Sequence, residues 1–209
     1  ECKLLKVFNK KEILKQNDKD FILTQIDSEI KIHQNLKHKN IIKFETSKET
    51  EHCIYLIFEN ADYNLANYIK SGYEIKTTQL KKIIQDFVDG LLYLRENRII
   101  HRDIKPANIY IKKEGDNLIP MIANFTLCTK DDNKYKPKVG TISYMAPEVV
   151  REKNYDEKCD LWSTGITIYE LYNGYTPYGT KIDDQKLKTI FYHNKKFFFD
   201  LTNKENLDL

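Results

Sequence analysis

The chain has 209 residues, of which 41 % are hydrophobic and 31 % charged, and its 34 basic and 31 acidic side chains leave a formal net charge of +3. That is the composition of a globular protein with one or two domains' worth of core. The charge balance is too even to argue for nucleic acid or an anionic membrane surface as partner, and no apolar run approaches the ~20 residues that span a bilayer.

In chain order, Leu4, Leu5, Val7 and Phe8 around Lys6 read as a short strand. Phe21, Ile22, Ile26, Ile30, Ile32 and Leu36 follow helical spacing and predict a helix over 20–36. Ile41 to Phe44 and Cys53 to Phe58 are strand-like, with a turn at Lys48-Glu49-Thr50-Glu51 between them. Leu80, Ile83, Ile84, Phe87, Val88, Leu91 and Leu92 mark a long amphipathic helix, for which Thr77 or Thr78 is the expected N-cap. Ile109 to Ile111 and Leu118 to Ala123 flank Glu114-Gly115-Asp116-Asn117 as a hairpin. Asp131 to Lys138 is charged and nearly free of aliphatics, a surface loop. Leu161 to Tyr172 is apolar almost all round, the pattern of a buried helix. The elements predict an α+β fold, with a boundary near Glu59 to Asp62.

Cys2, Cys53, Cys128 and Cys159 are scattered, with no CxxC pair and no His at metal-ligand spacing. They read as buried reduced thiols of an intracellular, cytoplasmic protein. The start at Glu1 carries neither a signal-peptide pattern nor an initiator Met, so the expectation is a piece of a longer protein.

Four strings carry chemistry. His101-Arg102-Asp103-Ile104-Lys105-Pro106-Ala107-Asn108 is followed by Asn124-Phe125-Thr126. Gly140-Thr141 precedes Ala146-Pro147-Glu148, and Asp160-Leu161-Trp162-Ser163 with Gly165 opens the predicted buried helix. In this order they resemble the eukaryotic protein kinases, serine/threonine type, over nearly the whole chain. The resemblance implies a two-lobed fold. Residues 1–60 would form a partial small lobe of strands with one helix, and 61–209 a partial helical lobe, the first strands and last helices lying outside. It gives Asp103 the role of accepting a hydroxyl proton, Lys105 that of neutralising charge on the phosphoryl group, and Asn108 that of a metal ligand. Lys6 would bind phosphate and pair with Glu29. Phe58 would stand beside the adenine pocket, Glu59 and Ala61 on the connector, and Tyr110 beneath the ring.

The departures bear on activity. Asn124 stands where the family carries the metal-binding aspartate, and its amide brings no charge to a dication. Thr126 replaces a glycine, and a β-branched residue restricts backbone motion there. Only five residues precede Lys6, and the first glycine is Gly72, so the glycine-rich phosphate loop is absent from these residues. The reading is a pseudokinase acting as scaffold or regulator. The alternative is an active kinase that passes the ATP γ-phosphate to Ser or Thr hydroxyls. ATP and Mg²⁺ are implied if it is active, and neither is required otherwise. The partner is another protein, with no nucleic acid. Arg102 is the residue type that orders an activation segment through charge, so the segment is expected to be either mobile or held by Asp131 or Asp132 in place of a phosphate, with Thr141 bonded near Asp103 and Lys105.

Overall fold

The first strand, β1 (Leu4–Asn9), alternates between faces, so Leu4, Lys6 and Phe8 point inward while Leu5 and Val7 are about half exposed. Lys6 is thereby carried on an apolar face. In this computed structural model residues 2–71, 75–130, 137–152, 154–179 and 183–193 are described, the side chains of 190, 192 and 193 excepted. The fold is α+β, as expected, and the chain divides into two compact units. One is built from Glu1–Asn97 and Ala107–Cys128, the other from Arg98–Pro106 and Thr129–Leu209.

In the first unit Asn9 caps a short helix, α1 (Lys10–Ile13), by accepting from the amides of Lys11 and Glu12. The next helix, α2 (Lys19–His33), buries Ile26, Glu29 and His33, which share a face at spacings of three and four. It ends before the predicted residue 36, because the bonds of Asn35 and Leu36 tighten to the third residue back.

The strand expected over 41–44 is displaced. Ile41 makes only an isolated parallel bridge to Ile122, and the paired strand is β2 (Phe44–Glu49), polar and exposed beyond Phe44. Backbone pairing to β3 (Cys53–Phe58) outweighs its lack of apolar alternation, and the sheet runs β1-β3-β2, all antiparallel. Ile42, Leu56, Phe58, Met121 and Ala123 form the core beneath it. His33 lies among Phe125, Phe58 and Phe44, with ring centroids at 4.4, 5.2 and 5.9 Å. Its Nε2 must donate to the Ile42 carbonyl at 2.6 Å, because a carbonyl only accepts.

A second sheet holds β4 (Tyr63–Asn64), β6 (Ile109–Glu114) and β7 (Asn117–Ile122), in the order β4-β6-β7. Glu114 pairs with Asn117, so the turn is only Gly115-Asp116, with Gly115 at φ 61°. Between the strands of this sheet come α3 (Leu65–Lys70) and α4 (Thr77–Glu96), and α4 packs on β7. Leu80, Ile83, Phe87, Gly90 and Leu94 face inward, whereas Leu92 is exposed. Neither Thr77 nor Thr78 caps α4. Both lie inside the helix, and the N-cap is Lys76, which makes no side-chain cap bond.

The second unit begins with β5 (Ile99–Ile100), paired antiparallel with β8 (Thr129–Lys130). Its core gathers Ile100, Ile142, Met145, Val149 and Tyr155 with Leu187 and Phe191. They come from β5, α5 (Pro147–Val150), α7 (Asp184–His193) and the segments that precede α5 and α6 (Lys158–Asn173). The expectation that the 161–172 helix is buried all round is corrected. Its buried face is Cys159, Asp160, Ser163, Thr164, Ile166 and Thr167, while Leu161 is 71 % exposed. Small hydroxyls bury by bonding carbonyls one turn back, Ser163 to Cys159 and Thr164 to Asp160, so sequence hydrophobicity misreads which face is inside. Cys128 and Cys159 are buried as expected, but Cys2 is exposed and Cys53 half-buried. Of the surface loop expected from Asp131 to Lys138, residues 131–136 lie outside the described residues, and with them Asp131 and Asp132.

Candidate functional site

The inward face of β1 and the buried face of α2 bring opposite charges together in the first unit. Lys6 Nζ lies 2.9 Å from each Glu29 oxygen, with Glu29 wholly buried. The Phe125 amide also donates to Glu29, at 3.1 Å. Asn124 adopts the left-handed backbone, φ 66° and ψ 68°, which Asn tolerates better than most residues. That turn aims two side chains back at the pair. Lys6 Nζ donates to Asn124 Oδ1 at 2.8 Å and to Thr126 Oγ1 at 2.5 Å, and the Thr126 hydroxyl lies 2.8 Å from Glu29 Oε2. An ammonium has three hydrogens. One reaches the carboxylate, one Asn124 and one Thr126, so the lysine is saturated.

Lys6 can only donate, and this settles the orientation of the Asn124 amide. Its oxygen faces the lysine, and its Nδ2 donates to Asn108 Oδ1 at 3.1 Å. The two side chains expected to hold metal are thus bonded to each other. Asn124 offers its oxygen beside a cation, and Asn108 offers one already taken by an N–H. No carboxylate stands at either position, and among the described residues no group of three His, Cys, Asp or Glu is gathered as a metal site. This donor set does not fit a phosphate-bridging dication.

Lys6, Glu29, Asn108 and Asn124 form the polar end of a cleft of about 270 Å³. Its other walls are Leu4, Leu5, Ile42, Phe58, Tyr110 and Ala123, apolar and suited to a flat ring. Phe58 and Tyr110 were expected here from sequence; Leu4, Leu5, Ile42 and Ala123 were not. Glu59 and Ala61 are not among its walls. Glu59 accepts from the Lys43 amide at 2.8 Å and lines a second cleft with Lys43 and Lys112, while Ala61 packs on the core around Phe58. Sequence reasoning saw Thr126 only as a backbone restriction. The hydroxyl itself was the available signal, since a glycine there could bond nothing.

In the second unit a separate cluster surrounds Asp103. Thr141 Oγ1 donates to Asp103 Oδ1 at 2.7 Å and accepts from Lys105 Nζ at 2.5 Å, and Lys105 also pairs with Asp103 at 3.0 Å. Burial alone pushes the Asp103 carboxyl up. The hydrogen bonds from Thr141 and Lys105, with the charges of Lys105 and His101, outweigh it and hold the group below the usual carboxylate range. Asp160 anchors the same loop from α6, accepting the amides of His101 at 2.6 Å and Arg102 at 2.8 Å. Arg102 sits at φ 67°, and its guanidinium donates to the Tyr155 hydroxyl, which in turn donates to the Pro137 carbonyl. Acid, lysine and hydroxyl together could take up a proton and bind an anion.

The profile of the protein kinase domain matches residues 3–208. The chain belongs to the protein kinase family. Among relatives of this kinase domain are calcium-dependent protein kinase 4 of Plasmodium berghei, 32 % identical over 94 % of the chain, and Aurora kinase of Candida glabrata, 33 % identical over 89 %. Serine/threonine-protein kinase polo of Drosophila melanogaster is 33 % identical over 84 %. The domain spans 37 %, 51 % and 30 % of those three proteins, respectively. Among the described residues no helix is long and apolar enough to cross a membrane.

Proposed function

We propose that this is a serine/threonine-type protein-kinase domain with impaired phosphoryl transfer, a pseudokinase that works inside the cell as scaffold or regulator of another protein. The observation that carries this reading is the hydrogen-bond chain from Lys6 through Asn124 to Asn108, at 2.8 and 3.1 Å. It joins the lysine expected to bind phosphate to both positions expected to hold metal, and uses their side-chain atoms on each other. Metal stabilisation of a transferring phosphoryl group is worth several kcal/mol. Losing ~3–5 kcal/mol of it slows chemistry by roughly 10²–10⁴. The division into lobes at residue 60 belongs to the same proposal.

A second reading, an active kinase using ATP and Mg²⁺, is favoured by the Asp103, Lys105 and Thr141 cluster, whose carboxylate stays ionised and oriented. Radiolabelled autophosphorylation separates the two. The impaired reading expects background activity in the parent and measurable activity in the Asn124→Asp, Thr126→Gly double variant. Robust parental activity that vanishes with Asp103→Asn would establish the active reading instead.

A further inference from the structure

The geometry points to a nucleoside site rather than a nucleotide site. We propose that the cleft of the first unit takes a flat, uncharged ligand of the adenosine class, and that the Thr126 hydroxyl denies phosphate groups the lysine. This rests on the impaired-kinase reading of the same site and specifies what the site still binds.

Three observations support it. The first is the contrast between the two ends of the cleft. Leu4, Leu5, Ile42, Phe58, Tyr110 and Ala123 offer apolar and aromatic surface to a ring, within about 270 Å³. That is near the lower bound of ~300 Å³ for ligand pockets. The second is charge. Among the described walls Lys6 is the one cation, and Glu29 at 2.9 Å neutralises it, with Asn108 and Asn124 uncharged. A triphosphate therefore meets a polar end of zero net charge.

The third is donor capacity. All three Lys6 hydrogens are committed, and Thr126 holds one of them at 2.5 Å while its own hydrogen lies against Glu29 at 2.8 Å or Asn124 at 2.9 Å. A phosphate oxygen reaching Lys6 must displace one of these partners, so it exchanges one hydrogen bond for another and gains little. A residue without a side-chain oxygen at 126 would leave one N–H of the ammonium for phosphate. The selectivity thus resides in a single hydroxyl.

Calorimetric titration and thermal shift on the chain test this, using adenosine, ADP and ATP, each in magnesium and in EDTA. For the parent the expected result is that adenosine binds, and that ATP matches it within about threefold in both buffers, because phosphates add no bond. Thr126→Ala should bind ATP about tenfold tighter than adenosine, one charge-assisted hydrogen bond's worth. Thr126→Ser keeps the hydroxyl and should behave as the parent. The proposal is overturned if the parent prefers ATP by tenfold or more, if adenosine produces neither heat nor shift at millimolar concentration, or if Thr126→Ala leaves the ratio unchanged. Its fate stays separate from that of the impaired-kinase reading. A parent that prefers ATP yet transfers no phosphate sinks only the nucleoside site, whereas a parent that phosphorylates while binding adenosine and ATP equally sinks only the other.

Discussion

Asn124→Asp alone should make this domain less stable in chelator and restore it in magnesium. The substitution removes the Nδ2–H that bonds Asn108 at 3.1 Å and leaves two acceptor oxygens facing each other. It also places a second carboxylate within reach of a lysine that Glu29 already neutralises at 2.9 Å, so the cluster acquires a net charge of −1. The lost bond is worth ~0.5–1.5 kcal/mol, and the uncompensated charge adds to it, for a total of about 1.5 kcal/mol. In a chain of 209 residues that lowers Tm by about 3–6 °C. Two facing oxygens with excess negative charge are what a small dication binds, so magnesium should recover most of the loss in the variant and do nothing for the parent. The assay is differential scanning calorimetry of both proteins in EDTA and in millimolar magnesium. Equal Tm values in EDTA, with no magnesium increment specific to the variant, would refute the idea that the amide-to-amide bond closes this site.

Three other outcomes follow from the packing. Gly140 has φ +118°, and a Cβ there would lie 2.4 Å from the Arg102 carbonyl oxygen, so Gly140→Ala should lose about 2–4 kcal/mol in urea unfolding; a loss under ~1 kcal/mol would show that the loop yields freely. Asp160→Asn replaces one of two accepting oxygens with an NH₂ group and orphans a buried amide. Hydrogen exchange at His101 or Arg102 should then accelerate more than at Leu187, and unchanged exchange would argue against the anchor. Burial raises the Asp86 carboxyl, but the bonds and charges of Lys82 and Lys39 outweigh it and leave it below its ordinary 3.8. The stability it adds is full above that ordinary value and lost as pH falls through the lower folded value. Asp86→Asn should therefore cost about 0.5–1 kcal/mol at pH 7, both lysines being largely exposed, and progressively less as pH drops below 4; a pH-independent difference would contradict the pairing.

What the order of residues determined by itself was local. Periodicity marked β1, α2, β3 and α4, and a Gly-Asp pair marked the β6–β7 hairpin, because side-chain direction and turn geometry depend on near neighbours. The string from His101 to Asn108 likewise named the candidate chemistry without coordinates. Tertiary structure decided the rest. The polar segment Phe44–Glu49 became a strand by pairing with β3, and Ile41 was drawn instead to Ile122. Leu161 stayed exposed while Ser163 and Thr164 went inside, since a buried hydroxyl can be satisfied by a carbonyl of its own helix. The contact between Lys6 and Thr126 joins residues 120 positions apart. No local pattern encodes it, because a hydroxyl carries the same propensity whether it meets water or a half-buried ammonium, and only the folded chain sets which one it meets.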